Sequence, residues 1–193
     1  MQYFDISMKK NKGFTLLELL IVIGILAILA TIVALVLNPA ELLKQARDSQ
    51  RLSDLRTINS AIGLWVASAS STTMAQLANA GYCTKGTTSY GPIATCTENA
   101  TTTIAGLGWI NINFTDIPGG SPLSRLPLDP VNSATYYYQY NNASTTLTFE
   151  LDAKMESQKY GVGGPADVSS NTKDGGNNNN VYEIGTDPGL DLI

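Results

Sequence analysis

The sequence predicts an α+β protein: a long N-terminal helix, apolar in its first half and amphipathic in its second, packed on a small head built round an antiparallel sheet. Three observations carry that expectation. Leu19 to Leu37 is a run without a single charged residue. From Leu42 to Trp65 the apolar residues recur at intervals of three and four, the spacing of one helix face. Beyond residue 100, short β-branched and aromatic segments alternate with Gly-, Asn- and Pro-rich stretches, the pattern of strands and turns.

Composition narrows the function classes. The chain has 193 residues, 12 Lys+Arg, 16 Asp+Glu, no His and two Cys, for a net charge of −4. Without histidine the commonest general base and metal ligand is missing. Two cysteines cannot form a thiolate zinc cluster, and neither Ser/His nor Cys/His catalysis has its base, so an enzyme is not expected. The acidic balance argues against direct nucleic-acid binding through phosphate attraction. Charged residues are 15% of the chain, against about 25% in soluble domains. The mean hydropathy of +0.02 is an average of unlike parts. Residues 1–56 carry seven basic and five acidic groups, and residues 57–193 five and eleven.

At the N-terminus Lys9, Lys10 and Lys12 precede Gly13, and Phe14-Thr15-Leu16-Leu17-Glu18 leads into the uncharged run. At 1.5 Å per residue that run is about 28 Å of helix, close to the roughly 30 Å hydrocarbon core of a bilayer. A buried core helix would show polar punctuation on one face, and only Thr31 supplies any. A conventional signal peptide would need small residues at −3 and −1 of a cut, which Ile28/Ala30 and Ile32/Ala34 do not supply. Basic residues flank both ends of the span (Lys44, Arg47 and Arg51 follow it), so charge alone does not orient it. Glu18 lies against the apolar run, and at a helix centre an acidic residue costs on the order of 2.5–3.5 kcal/mol to insert. Either it reaches the headgroups or it meets a positive group. No Lys or Arg lies between Gly13 and Lys44, so such a group comes from another chain or from a newly made α-amine.

Lys-Lys-Asn-Lys-Gly-Phe-Thr-Leu-Leu-Glu followed by a long apolar helix resembles the signal sequence of type IV pilins and the pseudopilins of type II secretion. The resemblance covers roughly residues 8–65. It implies cleavage by a prepilin peptidase between Gly13 and Phe14, N-methylation of Phe14, and pairing of Glu18 with the Phe14 amine of a neighbouring subunit during assembly. At about 4 Å and an effective dielectric near 20, that pair is worth around 4 kcal/mol of gross Coulomb attraction, comparable to the burial cost it offsets. The expected organisation is a cleaved leader (1–13), a transmembrane and assembly half-helix (14–38), an amphipathic half-helix (39–66) and a globular α+β head (67–193). Met8 is an alternative start.

The amphipathic half places Leu42, Leu43, Ala46, Leu52, Leu55, Ile58, Ile62 and Trp65 on its apolar stripe. Asp48, Arg51 and Asp54, three residues apart, are set to pair on its surface. Pro39 interrupts the helix and Gly24 weakens it. Further along, capping-box spacing at Thr73–Gln76 predicts a short helix near 74–80. Gly108–Ile117 reads as a strand. Tyr136–Tyr140 and Thr145–Leu151 read as a hairpin turning at Asn141-Asn142, and Val181–Ile184 as a further strand. Cys83 and Cys96 form a disulfide of about 3 kcal/mol if the head is extracytoplasmic, or remain free thiols otherwise. Leu126-Pro127-Leu128-Asp129-Pro130 is similar to a stretch that precedes the sheet in major pseudopilins. In the Gly/Asn-rich segment 161–180, Asp167, Asp174 and Asn177 are candidate oxygen ligands for a structural Ca²⁺, an ion that major pseudopilins bind in a C-terminal loop; the other reading is a solvated loop. Asn99, Asn113 and Asn142 begin glycosylation triplets at a frequency close to chance in so Ser/Thr/Asn-rich a chain.

The expected function is a non-enzymatic subunit of a type IV pilus-like filament, polymerised through its N-terminal helix. Its partners would be copies of itself, other pilins, the prepilin peptidase and an ATPase-driven inner-membrane platform. It would sit first as a single-pass inner-membrane protein with an extracytoplasmic head, then in an extracellular or periplasmic filament. Alternatives are a type II secretion pseudopilin, a minor pilin, and an anchored extracytoplasmic binding domain that never polymerises.

Overall fold

The computed structural model describes residues 13–68, 81–91, 95–143 and 146–193. The leader up to Asn11-Lys12 and the expected helix at 74–80 lie outside them. Among the described residues the chain divides into two compact units, one ending at Leu42 and one beginning at Leu43.

In the first unit, α1 spans Leu16–Leu37. Gly24 does not break it. Thr31, its sole polar residue beyond Glu18, turns its hydroxyl back to the Ala27 carbonyl at 2.8 Å, so little unpaired polarity remains along the rest of the helix. The helix ends where Pro39 requires. The residue before proline is disfavoured in the α region, and Asn38 takes φ 40°, a left-handed conformation that asparagine tolerates. Pro39 then opens α2 (Pro39–Ser68) at the helix position where a missing N–H costs nothing, and the Asn38 carbonyl accepts from the Glu41 N–H at 3.0 Å.

In the second unit, α2 buries Leu52, Leu55, Ile58, Ala61, Ile62 and Trp65. They meet one face of a five-stranded sheet built from β1 (Tyr82–Cys83), β2 (Thr97–Glu98), β3 (Tyr138–Ala143), β4 (Thr148–Ala153) and β5 (Tyr182–Gly185). The order is β2-β1-β3-β4-β5, with every neighbouring pair antiparallel except β1 with β2. Register pairs Tyr138 with Ala153, Tyr140 with Leu151 and Leu151 with Ile184, which puts these residues on the core face beside α2. The residues between them, Gln139, Asn141, Glu150, Asp152 and Glu183, share the opposite face and are buried as well. The sheet is thus covered on both sides, apolar on one and polar on the other. A short α3 (Asn171–Asp174) stands in the connection to β5.

Three expectations are corrected. Gly108–Ile117 is not a strand. Ile110, Ile112 and Phe114 do point inward at alternate positions, which produced the strand-like pattern, but they do so from a coil with one isolated bridge (Ala105 to Asn113) that ends in a 3-10 turn at Phe114–Asp116. Asn141-Asn142 is not the hairpin turn. Both lie within β3 opposite Glu150 and Phe149, and the last pair of the hairpin is Ala143 with Thr148; Ser144 and Thr145 are outside the described residues. Leu42, Leu43 and Ala46 are exposed, and their place in the buried stripe of α2 is taken by Asp48 and Arg51.

Candidate functional site

Gly13 and Phe14 stand exposed just before α1, Phe14 at 81% of its full accessible surface. Thr15 is the helix N-cap. Its hydroxyl accepts from the Glu18 N–H at 3.2 Å, and Glu18 Oε2 accepts from both the Thr15 N–H and the Thr15 hydroxyl at 2.9 Å. This reciprocal capping box satisfies two of the four orphan donors of a helix start. Glu18 therefore has a local role that the spacing Thr15-x-x-Glu18 already encodes. None of these contacts uses Oε1.

Along α1 nothing is buried. Large apolar side chains from Leu16 to Leu37 are each at least 44% exposed. At 1.5 Å per residue, 22 residues make about 33 Å, enough to cross a bilayer. An apolar surface of this extent needs lipid or another protein against it. That fits membrane anchoring by an N-terminal helix.

The second unit holds two buried polar clusters that periodicity did not reveal. Arg51, wholly buried, donates from Nε and Nη2 to Asp129 at 2.5 and 2.9 Å and from Nη1 to Asp48 at 2.7 Å, and its Nη2 lies 2.6 Å from Glu156. Arg47 makes a second fork to Glu156, at 2.9 and 2.5 Å. Asp48 also accepts from the N–H groups of Glu156 and Ser157, and Asp129 from those of Val131 and Asn132. Burial works against the Arg51 charge, but these carboxylates outweigh it and push its pKa further up. The expected surface pair Arg51–Asp54 does not form. Arg51 turns inward, and Asp54 accepts from the Tyr138 hydroxyl at 2.8 Å. The Asp129 of the Leu126–Pro130 stretch is what locks that segment to α2, and the carbonyl of Pro127 accepts from Trp109 Nε1.

The other cluster is the polar face of the sheet. Carboxylate oxygens of Glu150, Asp152 and Glu183 lie within 4.8 Å of one another. Burial, and after it the charge of Glu183, lifts Glu150 to about 8; burial and like charges also raise Asp152 and Glu183. Gln139 is engaged by Tyr90 and Ser89, and Asn141 donates to the Leu192 carbonyl. Strand alternation in Tyr-Gln-Tyr-Asn-Asn-Ala and Thr-Phe-Glu-Leu-Asp-Ala marks which residues share this face, but a polar face ordinarily reads as solvent-facing.

Cys83 and Cys96 are joined in a disulfide that ties β1 to the start of β2, with the stacked rings of Tyr90 and Tyr137 close by. Asp167 accepts from the N–H groups of Gly163, Ser169 and Ser170, and Asp174 from those of Gly176 and Glu183. Asn177 donates its N–H to Glu183. These three residues organise the loop backbone, and Asp174 and Asn177 turn it toward Glu183.

The order of elements, a long N-terminal helix followed by a mostly antiparallel sheet, is pilin-like. No curated protein and no solved structure matches the chain. Residues 8–34 match the family model of the prokaryotic N-terminal methylation motif, and the chain thereby carries the prepilin signal of type IV pilins and pseudopilins.

Proposed function

We propose that this chain is the precursor of a type IV pilus-like filament subunit. A prepilin peptidase cuts between Gly13 and Phe14 and methylates the new Phe14 amine, and the mature chain polymerises through α1. The observation that carries the reading is the methylation motif running directly into a helix whose whole surface is apolar and uncovered, with Glu18 its sole ionisable group. Residues 1–13 are then the leader, 14–38 the membrane and assembly segment, 39–66 the amphipathic half-helix and 67–193 the head. Removing the leader takes away three lysines and Asp5 and leaves side-chain charge −6.

In lipid, α1 is solvated by acyl chains. In a filament, the same surface packs on other copies, and Glu18 sets their stagger by pairing with a neighbour's Phe14 amine. Its Oε2 caps its own helix, while Oε1 offers an acceptor that does not require breaking the cap. Copies of the chain, other pilins and an ATPase-driven inner-membrane platform are the partners this requires. No step calls for catalysis by the chain itself. Glu18→Leu tests the mechanism. Cleavage and membrane insertion should be normal and filament growth abolished, and wild-type filament yield from this variant would overturn the stagger argument.

A second reading, a pseudopilin of a secretion system, is favoured by the Leu126–Pro130 stretch, whose Asp129 fastens the segment before the sheet to α2. Purified surface filaments composed mainly of this chain favour the pilus; secretion loss without such filaments favours the pseudopilus.

A further inference from the structure

The polar face of the sheet poses a problem of charge. Glu150, Asp152 and Glu183 are 0%, 1% and 2% exposed, and three carboxylates so placed repel one another in a medium that screens poorly. Some of their oxygens are accounted for. Glu150 Oε2 accepts from the N–H groups of Leu192 and Ile193, and Glu183 accepts from those of Asn177 and Asn178. Glu150 Oε1 and Asp152 Oδ1 are buried and have no hydrogen-bond partner. The amide side chains opposite Asp152 and Glu150 on β3, those of Gln139 and Asn141, donate instead to Ser89 and the Leu192 carbonyl.

The spacing suits an ion. Two oxygens on one Ca²⁺ at about 2.4 Å are at most about 4.8 Å apart, and the three carboxylates meet that limit pairwise. The loop over them approaches closely, since a Cβ on residue 176 would fall 2.1 Å from Glu183 Oε2 and push that carboxylate aside. A cavity of about 560 Å³ has Glu183 in its wall, and its ionisable lining of Arg56, Asp167, Lys173, Asp174, Glu183 and Asp187 is predominantly acidic. We propose that Glu150, Asp152 and Glu183 hold a hard divalent cation of the Ca²⁺ class between β4 and β5, reached from that cavity. Ca²⁺ accepts irregular, all-protein oxygen sets, whereas Mg²⁺ demands near-ideal octahedra and keeps its water, so the buried site selects the larger ion. The site lies on the strands, apart from Asp167 in the preceding loop, and the inference does not depend on the filament reading.

The test uses the full chain in detergent micelles, stripped with a chelator and titrated calorimetrically with Ca²⁺. One ion should bind per chain, more tightly than Mg²⁺. At a free Ca²⁺ concentration a hundred times Kd, the folded-to-unfolded ratio in denaturant should rise about a hundredfold. Asp152→Asn and Glu150→Gln should each abolish the Ca²⁺ response while leaving the metal-free chain no less stable, because each replaces a carboxyl group whose charged form is desolvated and repelled there with a neutral amide. Asp167→Asn should retain it. Absence of heat together with identical unfolding of stripped and Ca²⁺-supplied wild type overturns the proposal, whatever the variants do; so does loss of binding in Asp167→Asn with retention in Asp152→Asn.

Discussion

Replacing Arg51 by methionine keeps most of the side-chain volume and removes the cation at the centre of the buried cluster. Asp48, Asp129 and Glu156 lie 2.7, 2.5 and 2.6 Å from its guanidinium. Glu156 retains Arg47, but Asp48 and Asp129, 0% and 4% exposed, lose their counter-ion. Stranding a buried charge costs about 3–5 kcal/mol. Each aspartate still accepts two backbone N–H groups, which places the expected loss at the lower end, about 3 kcal/mol. With a urea slope of about 1.5 kcal/mol/M, the midpoint falls by about 2 M. Fluorescence of Trp65, on the buried face of α2, and of Trp109 in the same core follows the transition in micelles. Adding Asp129→Asn to Arg51→Met should recover at least about 1 kcal/mol, the coupling expected of residues in one network. An Arg51→Met chain within about 1 kcal/mol of wild type, or a double variant as weak as the two single losses added together, would refute the reasoning.

Two more expectations come from the same unit. Burial raises the Glu156 pKa, but the hydrogen bonds from Arg47 and Arg51 outweigh it, so the folded value lies below the ordinary carboxylate range. Its contribution is then complete above about pH 4.3, the free-glutamate value, and is lost as pH falls through the folded value. Wild type should lose more stability than Glu156→Gln between pH 7 and pH 3; equal losses contradict the pairing. The comparison isolates Glu156 from Glu150, Asp152 and Glu183, whose raised values act in the opposite direction. Reduction, or Cys83→Ser, should lower head stability by about 3 kcal/mol, the loop-entropy value for a closure of this size, read as a lower urea midpoint; an unchanged midpoint would show that the bridge constrains nothing.

The parts of the molecule governed by local rules were legible in its residues. The uncharged run of α1, the break at Pro39, the core stripe from Leu52 to Trp65 and the strand expected at Val181–Ile184 each follow from neighbours in sequence, as does the Thr15–Glu18 capping box, which the apolar setting of Glu18 hides. Long-range pairing was harder to read. Asp48 and Arg51 continue the buried stripe of α2 with charged side chains, and partners far along the chain, Asp129 and Glu156, make that burial tolerable. Alternation at Ile110, Ile112 and Phe114 reported burial correctly but not backbone pairing, because a coil laid on a core alternates as a strand does. Asn141-Asn142 is a turn-favouring pair, yet the sheet recruits it into β3, with Asn141 on the covered polar face. The acidic trio was invisible for the same reason: Glu and Asp in a strand read as solvent-facing until the segments that cover them are in place.

The central claim is that this chain is a prepilin, processed at Gly13–Phe14 and assembled through the helix that follows. Mass spectrometry of the N-terminal peptide of the mature protein, taken from membranes of cells that express the peptidase, tests it most directly. The account predicts a chain beginning at Phe14 with a methyl group on its α-amine. A mature chain that keeps residues 1–13 would contradict it and would leave an anchored domain that does not polymerise.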